Sequence, residues 1–431
     1  MAAPLRLAYN GLVVPAARLL RPVAGRFSPK LGAGLEARRG VLERWEAAAL
    51  AAEARSPRAW LHAASAGETL QARPLAEAIR AEHPQGAIFY SYFSPSAERF
   101  VAGWETPDAA DYLPLDTAGA MRRMIETLRP DALVLTGAEL WPNLVWEATD
   151  AGVPVAQACC RFGARTGRLR WPARALTGEL YRRFAALAAV ADSDADVLAR
   201  LGVAPERILV AGDTRADVTL QRAEAARGEP PPWRPPGGRG PVVVAGSTWP
   251  ADEVLVLPAV AELARRHPGL VAVLAPHEPT AAALARLGAQ ARAAGLKCAR
   301  LDALEAGEVA PEEPLVVLVD RVGVLYRLYG IADAAYVGGG LAGAVHSTME
   351  PAAMGVPVAV GPAHGGPYEV EALERARGLK VVASPAELAA AWEGWTLEGG
   401  RAGQVARETI QRMAGATGRT LEFFRERGLA V

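Results

Sequence analysis

Along most of this chain, short runs of apolar residues alternate with longer stretches in which apolar and polar positions mix at helical spacing. The first runs lie at 59–63, 87–93, 131–136, 153–158, 185–191 and 208–211. A continuous apolar run of that length predicts a strand buried on both faces. Strands that alternate with helices predict a parallel sheet with helices on either side. The rhythm stops at 229–241, EPPPWRPPGGRGP, where prolines and glycines make a hinge. It restarts at Val242 with VVVAGST and continues through LVAVLAP, PLVVLVD, AAYVGGG, VPVAVGP and LKVVAS. The pattern therefore predicts an α/β protein with two Rossmann-like domains, 36–228 and 242–400. A separate segment, 1–35, precedes them, and an amphipathic helix, 401–431, follows. No internal sequence repeat is present; the halves repeat in architecture alone.

Composition adds bounds. At 431 residues the chain is too long for one ordinary domain, and 51% hydrophobic with 22% charged residues is a globular balance. The net charge is zero, so no global field draws the protein to nucleic acid. Local charge is less even. Every charge in 1–35 is positive: Arg6, Arg18, Arg21, Arg26 and Lys30. The apolar run in this segment is too broken by charges and Pro15 to span a bilayer. It reads as an interfacial segment on an anionic leaflet, or as a packed N-terminal helix. A second basic run comprises Arg161, Arg165, Arg168, Arg170, Arg174, Arg182 and Arg183, with only Glu179 opposing. The three cysteines, Cys159, Cys160 and Cys298, have no metal-ligand spacing and read as small buried hydrophobes.

In open α/β sheets, ligands bind beyond the carboxyl ends of the strands, so chemistry is sought there. In the first domain, HAASAGET (62–69) places Ser65 and Gly67 in a turn and Glu68 at the start of a helix. Glu68 there is either a base for a sugar hydroxyl or a helix-start charge. A helix N-terminus favours the ionised form and so weakens the base unless the site is dry. TGAELWPN (136–143) brings Glu139 and Asn143 to the next strand end, as a second acid and an acceptor contact or as a cap with a packed Trp141. Arg161 and Arg165 follow another strand, where they either meet acceptor phosphates or form a solvated face. In the second domain, Ser247 and Thr248, then His277, then the loop Arg321, Val322 and Gly323, end successive strands. The stretch 336–362 ends another, with Gly338, Gly339 and Gly340, then His346, Ser347 and Glu350. Glycines let a backbone approach an anion, Ser347 or Thr348 is placed to cap the following helix, and Glu350 is placed for two ribose hydroxyls. Any βαβ unit carries glycines here, and Glu350 is also simply a favourable helix-start charge.

Taken together these stretches resemble the bacterial Kdo transferases (Kdo is 3-deoxy-D-manno-octulosonic acid), which are GT-B glycosyltransferases. WLHAASAGET resembles the family's HAVSVGET, TGAELWPNL its ETELWPN, and AGSTWPADE its AGSTHEGEE. SDADVLARLGV with AGDTRAD resembles SEEDAERFRALG with TGNLKFD, so Arg215 stands where a lysine usually stands. VDRVGVLYRLYGIADAAYVGGG resembles VDTMGELGLLYRLADVAFVGGS, and VHSTMEPAAMGVPVAVGP resembles GHNPLEPAAFGVPVLFGP. The resemblance implies a GT-B fold, with two Rossmann-like domains facing a cleft and the C-terminal helix crossing back to the first. It implies Glu68 as catalytic base and Glu139 as second acid. Ser247, Thr248, His277, Arg321 to Gly323, Gly338 to Gly340, His346, Ser347 and Glu350 would hold the donor. Ser65, Gly67, Asn143, Arg161, Arg165 and Arg215 would hold the acceptor. The implied reaction is an inverting, metal-independent transfer of Kdo from CMP-Kdo, with no further cofactor, to the phosphorylated lipid A precursor (lipid IVA) in lipopolysaccharide biosynthesis. The implied place is the cytoplasmic side of the inner membrane. Departures cluster on the donor side. The family's PRHPER is Pro-His-Glu-Pro-Thr at 276–280, without arginines; Asn after the second His is Ser347; and Glu-Leu in the base-reading loop is Val324-Leu325. They leave open a GT-B transferase with another nucleotide-sugar donor, or a non-catalytic relative.

Overall fold

The computed structural model describes residues 2–16, 19, 29–163, 166–235, 240–310, 315–341, 343 and 345–431. Two compact units emerge: 1–217 with 415–431, and 218–414.

Unit 1 is built on seven parallel strands: β1 (Arg58–Ala63), β2 (Ala87–Tyr92), β3 (Ala109–Tyr112), β4 (Ala132–Thr136), β5 (Val155–Cys160), β6 (Ala186–Ala189) and β7 (Ile208–Val210). Their order is β3-β2-β1-β4-β5-β6-β7. The chain leaves β1 in one direction and returns to β4 on its other side, so the ends of β1 and β4 lie together at the switch point. Every residue of β1, β2, β4, β5 and β6 is buried, as their apolar runs predict. The strand expected at 153–158 runs two residues later. Pro154 and Val153 precede it, and its last residues, Cys159 and Cys160, carry a register shift against β6. The short β3 has no apolar run to announce it. It is an edge strand with three of its four residues only partly buried.

Unit 2 repeats the architecture with β8 (Val242–Thr248), β9 (Val271–Pro276), β10 (Lys297–Arg300), β11 (Leu315–Leu318), β12 (Ala334–Val337), β13 (Val358–Val360) and β14 (Leu379–Val381), in the order β10-β11-β9-β8-β12-β13-β14. Val243 and Ala245 of β8 join one hydrophobic cluster with Trp392 and Trp395, while Val242 and Val244 join another with Leu328 and Tyr329. Alternate side chains therefore enter cores on opposite faces, which is what the unbroken apolar run demands. The edge strand β10, Lys-Cys-Ala-Arg, lacks that run and is absent from the sequence reading.

The C-terminal region is two helices rather than one, Arg401–Gln411 and Ala416–Glu426. Gly415, at φ +80°, stands between them. The second helix belongs to unit 1, where the Asp217 carboxylate accepts the Gly415 and Thr417 amides at 2.6 and 2.7 Å.

The helix Ala2–Ala8 and the turn after it pack on unit 1. Arg6 pairs with Glu147 and Asp150, and the Tyr9 hydroxyl donates to Asp116 at 3.0 Å. Leu7, Leu12 and Val13 remain exposed. Among the described residues no helix is long and apolar enough to cross a membrane. Arg18, Arg21 and Arg26 lie outside the described residues.

Candidate active site

In unit 1 the loop after β1 enters the helix Ala66–Glu82, with Ser65 extended at its N-cap. The Ser65 hydroxyl leaves the helix amides uncapped and donates instead to Glu68 Oε2 at 3.0 Å. On its other side the Glu68 carboxyl lies against Gly137 at the end of β4. A Cβ on Gly137 would fall 2.4 Å from Glu68 Oε1, and Gly137 has φ +81°. Only glycine fits a backbone held in that conformation and packed that closely. Burial pushes the Glu68 carboxyl up to about 7, the nearby Glu139 carboxylate adds to this, and the Ser65 hydrogen bonds oppose it. The stabilisation expected from the helix N-terminus is outweighed. A carboxyl poised near neutrality is what a general base at neutral pH requires.

Around it is a cavity of about 310 Å³ lined by Ser65, Gly67, Glu68, Gly137, Arg161 and Arg215, with Gln71, Ala138 and Cys159 completing the wall. Five residues singled out in the sequence meet here. Arg215 grips Asp213 through Nε at 3.0 Å and a terminal nitrogen at 2.7 Å, and Gln71 donates to the same carboxylate at 2.9 Å. Burial would raise Asp213, but Arg215 holds it below the ordinary carboxylate range. Arg161 pairs with buried Asp194 at 3.3 Å. Both guanidinium groups are thus oriented by buried carboxylates. Asp213, Asp194 and Gln71 were not singled out in the sequence; an Asp two residues before an Arg is too common a local pattern to signal this.

Asn143 is not in this cavity. It is fully buried and exchanges amide hydrogen bonds with Asn10 at 2.9 and 3.1 Å, while also donating to the Asp116 carbonyl at 2.8 Å. Glu139 is exposed beside the cavity, with its backbone carbonyl held by Gln157 at 2.9 Å. Arg165 lies outside the described residues. Much of the basic run serves the fold. Arg182 donates to the Leu201 carbonyl, Arg174 to that of Arg200, and Arg183 pairs with Glu179 and Asp150. Cys159 and Cys160 are buried without a disulfide, and Cys298 is half-buried.

In unit 2 the ends of β8 and β12 meet as those of β1 and β4 do. Gly338 sits so close to β8 that a Cβ would lie 2.3 Å from the Ser247 carbonyl oxygen, and Gly340 is packed as tightly on Gly361. These glycines are required by strand packing whatever else they do. Gly339, at φ +97°, donates its amide to Asp252 at 2.9 Å. Asp252 is wholly buried and also accepts from the Tyr336 hydroxyl and the Trp249 amide, both at 2.8 Å, so one carboxylate ties the glycine turn to the end of β8. It was not singled out in the sequence, because its partners lie elsewhere in the chain. His277 and His346 come together, ring centroids 4.4 Å apart, beside Trp249.

Thr348 occupies the N-cap position of the short helix Met349–Met354, but its hydroxyl makes no capping bond. It and the Thr248 hydroxyl are buried with no hydrogen-bond partner among the described residues. Ser347 is exposed. Burial pushes Glu350 up to about 7 against the pull of Arg222. Arg321 is drawn to Glu305 at 2.6 Å and to Asp320 at 3.3 Å, while Val322 is exposed and Gly323 has φ +89°. Among the described residues, no group of three or more His, Cys, Asp or Glu side chains could hold a metal ion.

Similarity to known proteins makes this chain a GT-B-fold glycosyltransferase that depends on a nucleotide sugar. The family described as 3-deoxy-D-manno-octulosonic-acid transferase (kdotransferase) matches residues 34–218. The 3-deoxy-D-manno-octulosonic acid transferase of Bordetella pertussis is 32% identical over 70% of this chain and 71% of its own. That of Haemophilus influenzae is 27% identical over 70% of each. The chain belongs to this family. Among solved structures, UDP-GlcNAc 2-epimerase from Neisseria meningitidis has a TM-score of 0.61 at 13% identity, covering 85% of this chain and 99% of that one. A glycosyltransferase from Rickettsia africae has a TM-score of 0.56 at 11% identity, covering 86% of this chain and 99% of that one. At such identities these likenesses speak for the fold alone.

Proposed function

We propose that the protein moves Kdo from CMP-Kdo to a hydroxyl of the phosphorylated lipid A precursor, with inversion and without a metal ion. One observation carries this reading: a glutamate carboxyl near pH 7 lies in a cavity that also holds two oriented arginines, Arg161 and Arg215. In this reading the arginines bind acceptor phosphate, and Glu68 takes the proton of the attacking hydroxyl. The acceptor oxygen forms the new bond to the anomeric carbon. The bond from that carbon to the CMP phosphate oxygen breaks, and its electron pair leaves with CMP. In unit 2, Ser247, Thr248, His277, His346 and the glycine turn receive the phosphate, Glu350 the ribose and the loop Arg321 to Gly323 the base. The exposed Leu7, Leu12 and Val13 support docking of the N-terminal segment on the cytoplasmic face of the inner membrane.

Transfer assayed with CMP-Kdo and lipid IVA tests the reaction. Glu68→Gln is expected to lose about a thousandfold in kcat while binding CMP as the unaltered protein does. Undiminished transfer would remove Glu68 from the mechanism. A second reading, a different nucleotide-sugar donor, is favoured by the arginine-free stretch 276–280. Calorimetry with CMP, UMP, UDP and GDP separates the two, since tight UDP binding without CMP binding selects the second.

A further inference from the structure

Trp249 packs against both histidines of unit 2. Its indole Nε1–H donates to His346 Nε2 at 2.9 Å, and the two rings are nearly parallel, at 17°. His277 stacks on both, with centroids 4.6 Å from Trp249 and 4.4 Å from His346 and ring planes 27° and 15° from theirs. Trp249 and His346 thus form a hydrogen-bonded, nearly parallel pair, and His277 covers it. The His346 amide donates to the Gly338 carbonyl at 3.0 Å, the His277 amide to the Thr248 carbonyl at 2.9 Å, and Asp252 holds the Trp249 amide, so each ring is anchored at its backbone.

An indole N–H is a donor only. The ring nitrogen facing it must offer a lone pair, so His346 carries its proton on Nδ1 and leaves Nε2 bare. Protonating Nε2 would set two N–H groups against each other. The charged or titratable groups that bear on His346 are His277, which disfavours the cation, and Asp252, which favours it; burial is the largest influence, and the net direction is downward.

We propose that Trp249 is a positioning residue of the donor site: it locks His346 as a neutral imidazole of one tautomer, stacked with His277. Neutral ring N–H groups and the buried hydroxyls of Thr248 and Thr348, rather than guanidinium cations, then receive the donor phosphate. This rests on the reading of unit 2 as the nucleotide-sugar site. The orphaned Thr248 and Thr348 hydroxyls are the independent sign that acceptor atoms belong there. The arrangement also answers the missing arginines at 276–280, because the neutral donors are set by stacking rather than by ion pairs.

The test uses histidine labelled with nitrogen-15, tractable because the chain has only six histidines, together with CMP calorimetry on the unaltered protein and Trp249→Phe. The unaltered protein is expected to show His346 with a bare Nε2 from about pH 8 to about pH 6, the range over which a free imidazole titrates. This measurement needs no variant. In Trp249→Phe, which keeps a ring in place, Nε2 gains a proton as pH falls. The CMP dissociation constant should rise about fivefold at about pH 8, with the ratio to the unaltered protein shrinking as the pH falls and His346 becomes cationic. Titration of CMP itself is common to both proteins and cancels in that ratio. A protonated Nε2 in the unaltered protein, or equal CMP binding by both proteins at both pH values, overturns the role of Trp249 and leaves the donor-site reading standing. Failure of the unaltered protein to bind any of CMP, UMP, UDP and GDP overturns both.

Discussion

Units 1 and 2 share seven parallel strands and a switch point, but they handle polarity in opposite ways. At the end of β1, unit 1 gathers charge: Glu68 beside Glu139, and two arginines each paired to a buried aspartate. At the end of β8, unit 2 gathers an indole, two imidazoles and two hydroxyls with no hydrogen-bond partner among the described residues. Each also holds a glutamate near 7, but the neighbours differ. Glu68 is raised by burial and by a like charge, whereas Glu350 is raised by burial against the attraction of Arg222. A shared fold fixes where the chemistry stands; local packing fixes its sign. A proton acceptor needs a perturbed charge, while a phosphate already carries its own and needs only oriented donors.

The sharpest break in this comparison comes from two glycines. In Gly137→Ala the new methyl meets the end of the Glu68 side chain, which can swing away; in Gly338→Ala it meets the backbone of Ser247 and Thr248, which cannot. Gly338→Ala is expected to cost about 3 kcal/mol of stability and to abolish nucleotide binding. Gly137→Ala should cost about 1–2 kcal/mol for its left-handed backbone, leave nucleotide binding intact and lower kcat on the order of a hundredfold. Denaturant melts, calorimetry and transfer rates on both proteins decide it. Equal stability losses would mean that the two strand ends are packed alike.

Removing the charge itself comes next in size. Glu68 ionises near 4.5 when unfolded and near 7 when folded. Ionised Glu68 therefore opposes folding. The penalty is absent below about pH 4.5, grows from there to about pH 7 and is constant above. Glu68→Gln should be more stable than the unaltered protein by about 1–3 kcal/mol at about pH 8 and no more stable at about pH 4, by thermal melts. Replacing the neighbour sharpens the contrast. Glu139→Gln lowers the Glu68 pKa, so the acid limb of kcat/KM moves to lower pH. Arg222→Gln moves Glu350 the other way, upward, and shifts the pH dependence of CMP binding with it. A limb that stays in place in Glu139→Gln would leave burial as the sole cause in unit 1.

Ser65, Gly67 and Glu68 could be named in advance, because a strand end followed by glycine and a helix start is a local pattern; Arg161 stands out through the basic run after a strand, and Arg215 through the family resemblance alone. What could not be named depends on partners distant in sequence. Asp252 serves an amide at Gly339, and Asp213 serves a glutamine at Gln71; nothing near either residue reveals the partner. Gly137 carries no local signal either, and only the fold shows that it makes room for the Glu68 carboxyl. Trp249 has no local signature, because the two histidines it meets are brought in by other strands. β3 and β10 escaped because an edge strand buries too little to need an apolar run.

The smallest effect separates the units on strain. Each sheet has one non-glycine residue in the left-handed region at a register shift: Cys159 in β5 and Ser247 in β8, both at φ +54°. Such a backbone disfavours any residue with a Cβ, so glycine relieves about 1 kcal/mol. The side chains then decide the outcome. Cys159 is fully buried, with its sulfur 3.3 Å from Thr214 Oγ1, so Cys159→Gly opens a void that offsets the relief. Ser247 is partly exposed, so Ser247→Gly loses little packing and should gain about 0.5–1 kcal/mol. If the Ser247 hydroxyl holds the donor phosphate, the same variant weakens CMP binding several-fold, and natural selection has kept strain for a ligand contact. Stability gained without loss of CMP affinity would mean that the strained serine does not touch the donor, leaving the phosphate to Thr248, Thr348 and the imidazole pair.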